Sequence, residues 1–240
     1  MERKISKRRN IFICGVAILV LAIASVIMIL QDFDDNSDDA LRFKWEYEEL
    51  NSTIREGDGA YLKLVYIPAD NPFRYLTVEE ALEFSKTGTG VIFIGGAWCR
   101  LCRLTAPYIV EAISKLKEHS TVYYVPILMN DESSGEAGYR EFAEHIGKYI
   151  LRAGTAFANV TGNESRIEAY IGRIEERGFS LLSSTLLFYN NGMLIGAHLG
   201  AIPGHNDSDI PFTQQQAEQF IEIFNEHMSG LGGNPCPPGC

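Results

Sequence analysis

Apolar residues along the chain follow two spacings. Short apolar runs bounded by Pro, Gly or Asn predict β-strands, and they fall at Tyr61–Ile67, Val91–Ile94, Thr121–Leu128, Thr185–Tyr189 and Met193–His198. Stretches with apolar residues three or four positions apart predict helices, and these fall at Thr77–Gly88, Cys99 to about His119, Tyr139–Leu151, Glu164–Arg177 and Thr213–Met228. Because strands and helices alternate, the pattern predicts an α/β domain with a central mixed sheet flanked by helices.

Local signals place the ends of some of these elements. Thr77 followed three residues later by Glu80 predicts a capping box, and Gly88 predicts the end of that helix. Asn190-Asn191-Gly192 predicts a tight turn between two antiparallel strands. The helix that starts at Cys99 joins two strands as a crossover, which predicts that those strands are parallel and form a right-handed βαβ unit.

The N-terminal region carries the charge pattern of a membrane anchor. Residues 1–10 hold five basic side chains, residues 11–30 hold no charge, and an Asp-rich stretch follows. An uncharged stretch of this length can cross a bilayer as a helix, and its basic flank stays cytoplasmic. We therefore expect a cytoplasmic tail over residues 1–10 and a single-pass anchor over 11–30 in the plasma membrane, with the C-terminal domain outside the cytoplasm. A signal peptide cleaved near Ala22-x-Ala24 is the alternative.

The region beyond the anchor divides into a spacer, a domain and a tail. Residues 31–58 predict an acidic spacer, residues 59–229 a single domain, and residues 230–240 a flexible tail. Within the spacer, Leu41–Leu50 has aromatic residues among charged ones. This segment is either a short amphipathic helix or a wrapped segment, and its aromatic side chains lie either at the bilayer interface or against the domain.

Charge restricts the class of partner. The formal net charge is −10, although basic residues are concentrated at the N-terminus. An acidic exported domain repels nucleic acid and anionic head groups, so neither is an expected ligand. The same charge favours a soluble, monomeric domain. Export also places the cysteines where disulfides persist.

One stretch combines a buried strand with a pair of thiols. The run Val91–Ile94 is followed by Gly95-Gly96-Ala97-Trp98 and then by Cys99 and Cys102 at the start of a predicted helix. The first-turn N–H groups and the helix dipole stabilise an anion there, so Cys99 should ionise more readily than a free thiol. We expect Cys99 to attack a partner disulfide and Cys102 to resolve the mixed disulfide. Arg100, between them, should lower the pKa of Cys99 further.

The block Trp98-Cys99-x-x-Cys102-Arg103-x-x-Ala106-Pro107 resembles the active-site segment of thioredoxin-fold proteins. A second block, Ser184-Thr185 leading into a strand and Asn190-Asn191-Gly192, resembles the family segment that begins with Pro-Thr. The resemblance implies a thioredoxin-like fold with a helical insertion at about 130–180, between the third and fourth predicted strands. It also implies a substrate-binding role for Trp98, Arg100, Leu101, Ser184 and Thr185.

Two positions depart from the family pattern. Phe93 occupies the place of the usual buried acid, and Ser184 occupies the place of the cis-proline. Proton transfer would then depend on water or another group, and the peptide before Ser184 should be trans because a cis bond to a non-proline residue is costly. The Ser184 hydroxyl is expected to hydrogen-bond a docked substrate.

The tail holds a second pair, Cys236 and Cys240. Three interpretations remain open: a disulfide closed within the tail, a shuttle dithiol that exchanges electrons with Cys99 and Cys102, and a zinc site made by all four thiolates. The first is preferred, and no metal or other cofactor is expected.

These observations predict a membrane-anchored thiol–disulfide oxidoreductase that acts on extracytoplasmic protein thiols through Cys99 and Cys102. A membrane electron carrier is a candidate partner for recharging it. The alternative is a non-catalytic accessory module for export of a peptide or protein, because the architecture also resembles bacteriocin-transport accessory proteins. Phe93 and Ser184 favour this alternative.

Overall fold

A computed structural model describes residues 38–55, 59, 61–116, 120–127, 138–155, 160–205 and 207–232. The predicted basic tail (1–10), the predicted anchor (11–30) and the cysteines Cys236 and Cys240 lie outside these residues. Among the residues that are described, no helix has the length and apolar character needed to cross a membrane.

The compact unit that begins at Ala40 is an α/β domain. Its elements in chain order are α1 (residues 38–49), β1 (Phe73–Tyr75), α2 (Val78–Thr87), β2 (Gly90–Gly95), α3 (Arg100–Ser114), β3 (Val122–Pro126), α4 (Tyr139–Thr155), β4 (Val160–Gly162), α5 (Glu164–Arg177), β5 (Thr185–Asn190), β6 (Met193–Leu199) and α6 (Gln214–Ser229). A 3-10 turn at Gly230–Gly232 follows α6.

The described strands form one six-stranded mixed sheet with the order β1-β3-β2-β5-β6-β4. Strand β3 is parallel to both β1 and β2, as the crossover through α3 predicts. Strand β5 is antiparallel to β2 and β6, and β4 is parallel to β6. The predicted mixed sheet and the predicted hairpin between β5 and β6 are both confirmed.

Each face of the sheet carries its own hydrophobic core. Along β2, Val91 and Phe93 contribute to one core, whereas Ile92 and Ile94 contribute to the other. The first core contains buried residues of α1, α3 and α6, and the second contains buried residues of α2, α4 and α5. Because successive side chains of a strand point to opposite faces, a continuous apolar run such as β2 requires cover on both sides.

The cap prediction for α2 is confirmed. Thr77 accepts a hydrogen bond from the Glu80 N–H while the Glu80 side chain accepts one from the Thr77 N–H, and α2 ends at Gly88. Thr213 and Gln216 form the same box at the start of α6. Helix α3 is shorter than predicted, since it ends at Ser114 with Lys115 as its cap.

The prediction of a strand at Tyr61–Ile67 is wrong, because this segment lies outside the six-stranded sheet. Leu62, Val65 and Ile67 are buried, which explains the strand-like pattern. The backbone of Val65 pairs with the Asn51 side chain through two bonds of 2.9 Å. The backbone of Ile67 pairs with Glu48 and Lys44, also at 2.9 Å. Polar side chains thus replace the neighbouring strand.

The segment Leu41–Leu50, whose conformation and packing the sequence did not decide, belongs to helix α1 and packs on the domain. Phe43 and Tyr47 of α1 are fully buried, and the Phe43 ring stacks on Phe73 with centroids 3.8 Å apart. The predicted spacer over 31–58 therefore extends too far, because α1 supplies aromatic side chains to the core next to β1. The acidic composition of this stretch did not indicate a packed helix, because its buried residues alternate with charged ones along the chain.

The sequence also did not predict the two shortest strands. Strand β1 directly follows the Asn71-Pro72 turn, and β4 separates α4 from α5. Each has three residues, which is too short for a recognisable alternation of apolar and polar positions.

Two histidines share one hydroxyl between β4, β6 and α6. The Thr161 Oγ1 atom lies 2.9 Å from His198 Nδ1 and 2.9 Å from His227 Nε2. Burial lowers the pKa of His198 to about 3, with His227 contributing, and burial lowers the pKa of His227 to about 4. Both rings are therefore neutral in the folded protein at neutral pH.

This pair predicts a loss of stability in mild acid. As the pH falls below the ordinary histidine pKa of 6.5, the unfolded chain takes up protons that the folded chain does not, so the free energy of unfolding decreases. Each histidine lowers the free energy of unfolding by up to about 1.4 kcal/mol for each pH unit below its ordinary pKa. Urea unfolding between pH 7 and pH 5 should therefore show a smaller pH dependence for His227→Gln than for the wild type. An identical dependence would contradict the assignment.

Candidate active site

Strand β2 delivers the two cysteines through a pair of glycines that leaves no room for side chains. A Cβ atom on Gly96 would lie 2.4 Å from Trp98 Nε1 and 2.9 Å from the Ile127 carbonyl oxygen. A Cβ atom on Gly95 would lie 2.9 Å from Cys102 Sγ. Both distances are too short for a carbon atom, so the strand can approach the first turn of α3 this closely only with glycine at these positions.

Cys99 is the N-cap residue of α3. Its backbone is extended (φ −83°, ψ 118°), and its Sγ atom accepts a hydrogen bond from the Cys102 N–H at 3.4 Å. Both thiols are free in this structure. The predicted position of the dithiol at a helix N-terminus is therefore present.

The environment of Cys99 favours its thiolate. Donation from the Cys102 thiol, from the Ser183 hydroxyl and from the Cys102 N–H, together with the positive charge of Arg166, lowers the pKa of Cys99 to about 6. Burial opposes this change but is outweighed. At neutral pH Cys99 is thus largely ionised, which is the form required of a nucleophile in disulfide exchange.

The pKa of Cys102 is shifted in the opposite direction. Burial, donation of its hydrogen bond to Cys99 and the negative charge of Cys99 raise the pKa of Cys102 well above the usual range. The two thiols therefore differ: one is ionised and the other holds its proton. This asymmetry is what the proposed order of attack by Cys99 and resolution by Cys102 requires.

The cation that contributes to this environment is Arg166, which the sequence analysis did not identify. Its guanidinium group donates a hydrogen bond to the Ser183 carbonyl oxygen, and its side chain packs on Gly200, where a Cβ atom would lie 2.7 Å from Arg166 Cδ. Arg166 belongs to α5 and lies 67 residues after Cys99 in the chain. No local pattern in the sequence connects the two.

Arg100, which was expected to lower the pKa of Cys99, forms an ion pair with Asp209 instead. The guanidinium group is partly exposed at the edge of a cavity. Its position between the two cysteines in sequence did not reveal this, because the first turn of a helix directs successive side chains to different sides.

Ser184 and Thr185 were expected to contact a docked substrate. Both are buried, so neither hydroxyl is presented to one. The Ser184 hydroxyl lies 3.3 Å from the Thr105 hydroxyl of α3. The peptide before Ser184 is trans, as predicted, and Ser184 has a left-handed backbone with φ of 57°. That conformation costs a residue with a side chain of order 1 kcal/mol. The Gly200 N–H compensates by donating to the Ser184 carbonyl at 2.7 Å.

Trp98 and Leu101 remain next to the dithiol. The Trp98 Nε1–H donates to the Ile127 carbonyl at 2.8 Å, which fixes the indole beside the end of β3. Leu101 packs partly on the core and lines a cavity on the other side of α3. Both side chains are partly exposed, so they are available for contact with a substrate.

Arg103, the basic residue after the motif, is a buried connector. Its guanidinium donates to the carbonyl oxygens of Tyr47, Lys63 and Ala97 and to Asn51 Oδ1, at 2.5 to 3.2 Å. Hydrogen bonds from a charged donor to several carbonyls are among the stronger interactions of a folded protein. Arg103 therefore holds α1 and the segment Tyr61–Ile67 against α3.

An apolar residue, Phe93, occupies the position that the family pattern reserves for a buried acid. Phe93 is fully buried, and its ring centroid lies 5.7 Å from that of Tyr124. The nearby phenols of Tyr47 and Tyr124 are buried, and burial raises the pKa of both well above the usual range. They remain protonated and cannot act as bases, so a proton leaving Cys102 must be accepted elsewhere.

Two cavities flank the N-terminal turn of α3. The larger has a volume of about 280 Å³, and its lining includes Leu64, Tyr66, Arg100, Leu104, Tyr108 and Asp209. The smaller has a volume of about 130 Å³ and is lined by Leu101, Asn163, Arg166, His205 and Ser208. In the described part of the chain, no three His, Cys, Asp or Glu side chains converge in a way that could hold a metal ion.

Comparisons with known proteins add no information about this site. No protein-family model matches the chain, and no curated protein and no solved structure matches it. A functional assignment therefore depends on the geometry and the electrostatics of the residues themselves.

The contribution of Arg166 can be tested by titration of Cys99. The rate of Cys99 alkylation by iodoacetamide, followed by mass spectrometry against pH, should give a pKa of about 6 for the wild type. Arg166→Met should raise that pKa, because it removes the nearby positive charge. Arg100→Met is the matched control and should leave it unchanged, since that cation pairs with Asp209. A wild-type value near 9.0, or a larger shift in the control, would contradict this account.

Proposed function

We propose that this protein is a thiol–disulfide oxidoreductase with a thioredoxin-like fold and a Cys99-x-x-Cys102 dithiol. The observation that carries the proposal is the position of two free thiols at the N-terminus of α3, where Cys99 Sγ accepts from the Cys102 N–H at 3.4 Å. Hydrogen bonds and Arg166 favour the thiolate of Cys99, whereas burial favours the protonated form of Cys102. Structural cysteines in a core have no need of such a difference.

The arrangement of the sheet supports the proposed fold. The β2-α3-β3 unit is parallel, and the antiparallel β5-β6 hairpin lies on the other side of β2. Helices cover both faces. This arrangement is compatible with a thioredoxin-like domain in which α4, β4 and α5 form an insertion between β3 and β5. Arg166 would then be a residue that the insertion contributes to the site.

The chemistry proceeds in two exchange steps. The Cys99 thiolate attacks one sulfur of a substrate disulfide, a Cys99–substrate disulfide forms, and the other substrate sulfur leaves as a thiolate. Cys102 then loses its proton to water and attacks Cys99 Sγ, which forms the Cys99–Cys102 disulfide and releases the second substrate thiolate. Two electrons pass from the protein to the substrate, and the same steps in reverse oxidise a substrate dithiol.

The substrates that we propose are extracytoplasmic protein thiols and disulfides, with residues 1–10 in the cytoplasm and residues 11–30 as the anchor. The direction of electron flow depends on the potential of the dithiol relative to its partners, and a membrane electron carrier would recharge it. A substrate segment would lie along the larger cavity, where the exposed side chains of Leu64 and Tyr66 supply apolar contact next to Arg100.

A second candidate function is a non-catalytic binding module for export of a peptide or protein. The limited access to Cys99 favours it, because only 5% of this residue is exposed. The apolar surroundings of Phe93 also favour it, since they provide no acid for proton transfer. A binding module would use the same cavities without exchange of sulfur.

Turnover of a protein disulfide separates the two candidates. The full-length chain in detergent micelles should accelerate the reduction of insulin by dithiothreitol, and Cys99→Ser should reduce the rate to the uncatalysed level because the nucleophile is lost. Cys102→Ser should instead accumulate a mixed disulfide through Cys99, detectable by mass spectrometry. Replacement of Cys236 and Cys240 by Ser is the control for the tail thiols. Equal rates for the wild type and Cys99→Ser would exclude the enzymatic function.

A further inference from the structure

The smaller cavity, of about 130 Å³, is polar and lies close to the dithiol. It is bounded by Leu101 of the first turn of α3, by Asn163 and Arg166 at the N-terminus of α5, and by His205 and Ser208 after β6. Arg166 is close enough to Cys99 to lower its pKa. A ligand in this cavity would therefore lie within electrostatic range of the sulfur.

The hydrogen bonds around His205 determine which nitrogen carries its proton. The Thr213 N–H donates to Gln216 Oε1 at 2.9 Å, so the Gln216 amide nitrogen is the group that faces His205 Nδ1, at 3.4 Å. An amide nitrogen can only donate, and Nδ1 must therefore accept. The neutral ring then carries its proton on Nε2. His205 is only 7% exposed, and its Nε2 has no hydrogen-bond partner among the described residues.

Arg166 supplies a second donor without an acceptor. One terminal nitrogen of its guanidinium group is bonded to the Ser183 carbonyl, whereas Nε is buried and has no partner in the described part of the chain. The nearby oxygen Asn163 Oδ1 is already engaged, because it accepts a hydrogen bond from the Arg166 backbone N–H at 3.1 Å. Asn163 Nδ2 donates to the His205 carbonyl at 2.8 Å. Two buried N–H groups without hydrogen-bond partners among the described residues, and one positive charge, thus belong to side chains that line this cavity.

Buried donors without acceptors are costly, and they are rare unless a ligand or solvent completes them. The complement of two N–H donors and a guanidinium charge is an anion with two acceptor oxygens, and a carboxylate fits this description and this volume. The chain has a net charge of −10, so a carboxylate needs local positive charge to bind here. Two carboxylates flank Ser208 in sequence: Asp209 is already paired with Arg100, and Asp207 accepts a hydrogen bond from the Asp209 N–H at 2.8 Å.

We propose that this cavity, which we call the carboxylate subsite (Leu101, Asn163, Arg166, His205 and Ser208), binds a carboxylate group that the substrate carries close to its reacting sulfur. The proposal rests on the proposed thiol–disulfide exchange and specifies its substrate class: thiols and disulfides with an acidic group next to the cysteine. The carboxylate belongs either to an acidic residue of a protein substrate or to a small acidic thiol compound.

The first test measures binding without any exchange reaction. Acetate is added to the reduced full-length chain at constant ionic strength, with chloride as the reference anion, and the pH dependence of Cys99 alkylation is recorded. Acetate bound at Arg166 should raise the pKa of Cys99 in the wild type. His205→Phe keeps the aromatic contact with Phe212 but removes the donor, and this variant should lose the response. His145→Phe, which changes an exposed histidine of α4 that stacks on Tyr189, is the control and should retain it.

The second test measures substrate preference. Rates of reaction with bis(2-carboxyethyl) disulfide are divided by rates with the neutral bis(2-hydroxyethyl) disulfide. A parallel ratio is taken for two peptides that differ only in Glu or Gln next to a disulfide-bonded cysteine. We expect His205→Phe to lower the relevant ratio by about tenfold relative to the wild type and to His145→Phe, the size expected for a lost hydrogen bond to a charged group.

The outcomes are distinguishable. A change in the small-disulfide ratio alone indicates a small acidic thiol compound, a change in the peptide ratio alone indicates a protein substrate, and a change in both indicates that the subsite accepts either source. No change in either ratio, with normal reaction of the neutral disulfide, would overturn the subsite and leave the exchange function standing. If no disulfide reacts, the proposed function fails, and the acetate titration still decides whether the subsite binds a carboxylate.

Discussion

The site depends on the hydrogen bonds that converge on one sulfur atom at the start of α3. Cys99 Sγ accepts from the Cys102 thiol, the Ser183 hydroxyl and the Cys102 N–H, and Arg166 adds a positive charge. Together these groups lower the pKa of Cys99 and favour its thiolate. Such an arrangement requires β2 to approach the helix closely, which Gly95 and Gly96 allow. The two cores on either side of the sheet hold this approach in place.

The sequence was sufficient for elements that are specified by neighbouring residues. The capping box at Thr77, the buried run of β2, the hairpin at Asn190-Asn191-Gly192 and the N-terminal position of Cys99 depend on contacts a few residues apart, and all four are present. The parallel crossover through α3 was also predictable, because a strand, a helix and a second strand in succession have few ways to pack. Neighbouring residues in the sequence were therefore enough to predict that the dithiol lies at the N-terminus of α3.

The parts that could not be predicted depend on side chains far apart in the chain. Arg166 and Ser183 reach Cys99 from α5 and from the loop before β5, and no spacing in the sequence links them to it. The apolar run at Tyr61–Ile67 indicated a strand, but the side chains of Asn51 and Glu48 hydrogen-bond its backbone instead. Burial of Ser184 against Thr105 likewise follows from packing of the residue before β5 on α3. The apolar pattern of a segment does not show which groups complete its backbone hydrogen bonds.

The reduction potential of the Cys99–Cys102 pair tests the central claim most directly. It is measured by equilibrating the full chain, with Cys236 and Cys240 intact and then replaced by Ser, in glutathione buffers and mapping the disulfide by mass spectrometry. Because the thiolate of Cys99 stabilises the reduced form, we expect a reversible Cys99–Cys102 disulfide with a potential less negative than about −270 mV, the value of a thioredoxin dithiol. Failure of these two cysteines to form a disulfide, or a potential more negative than that value, would contradict the account.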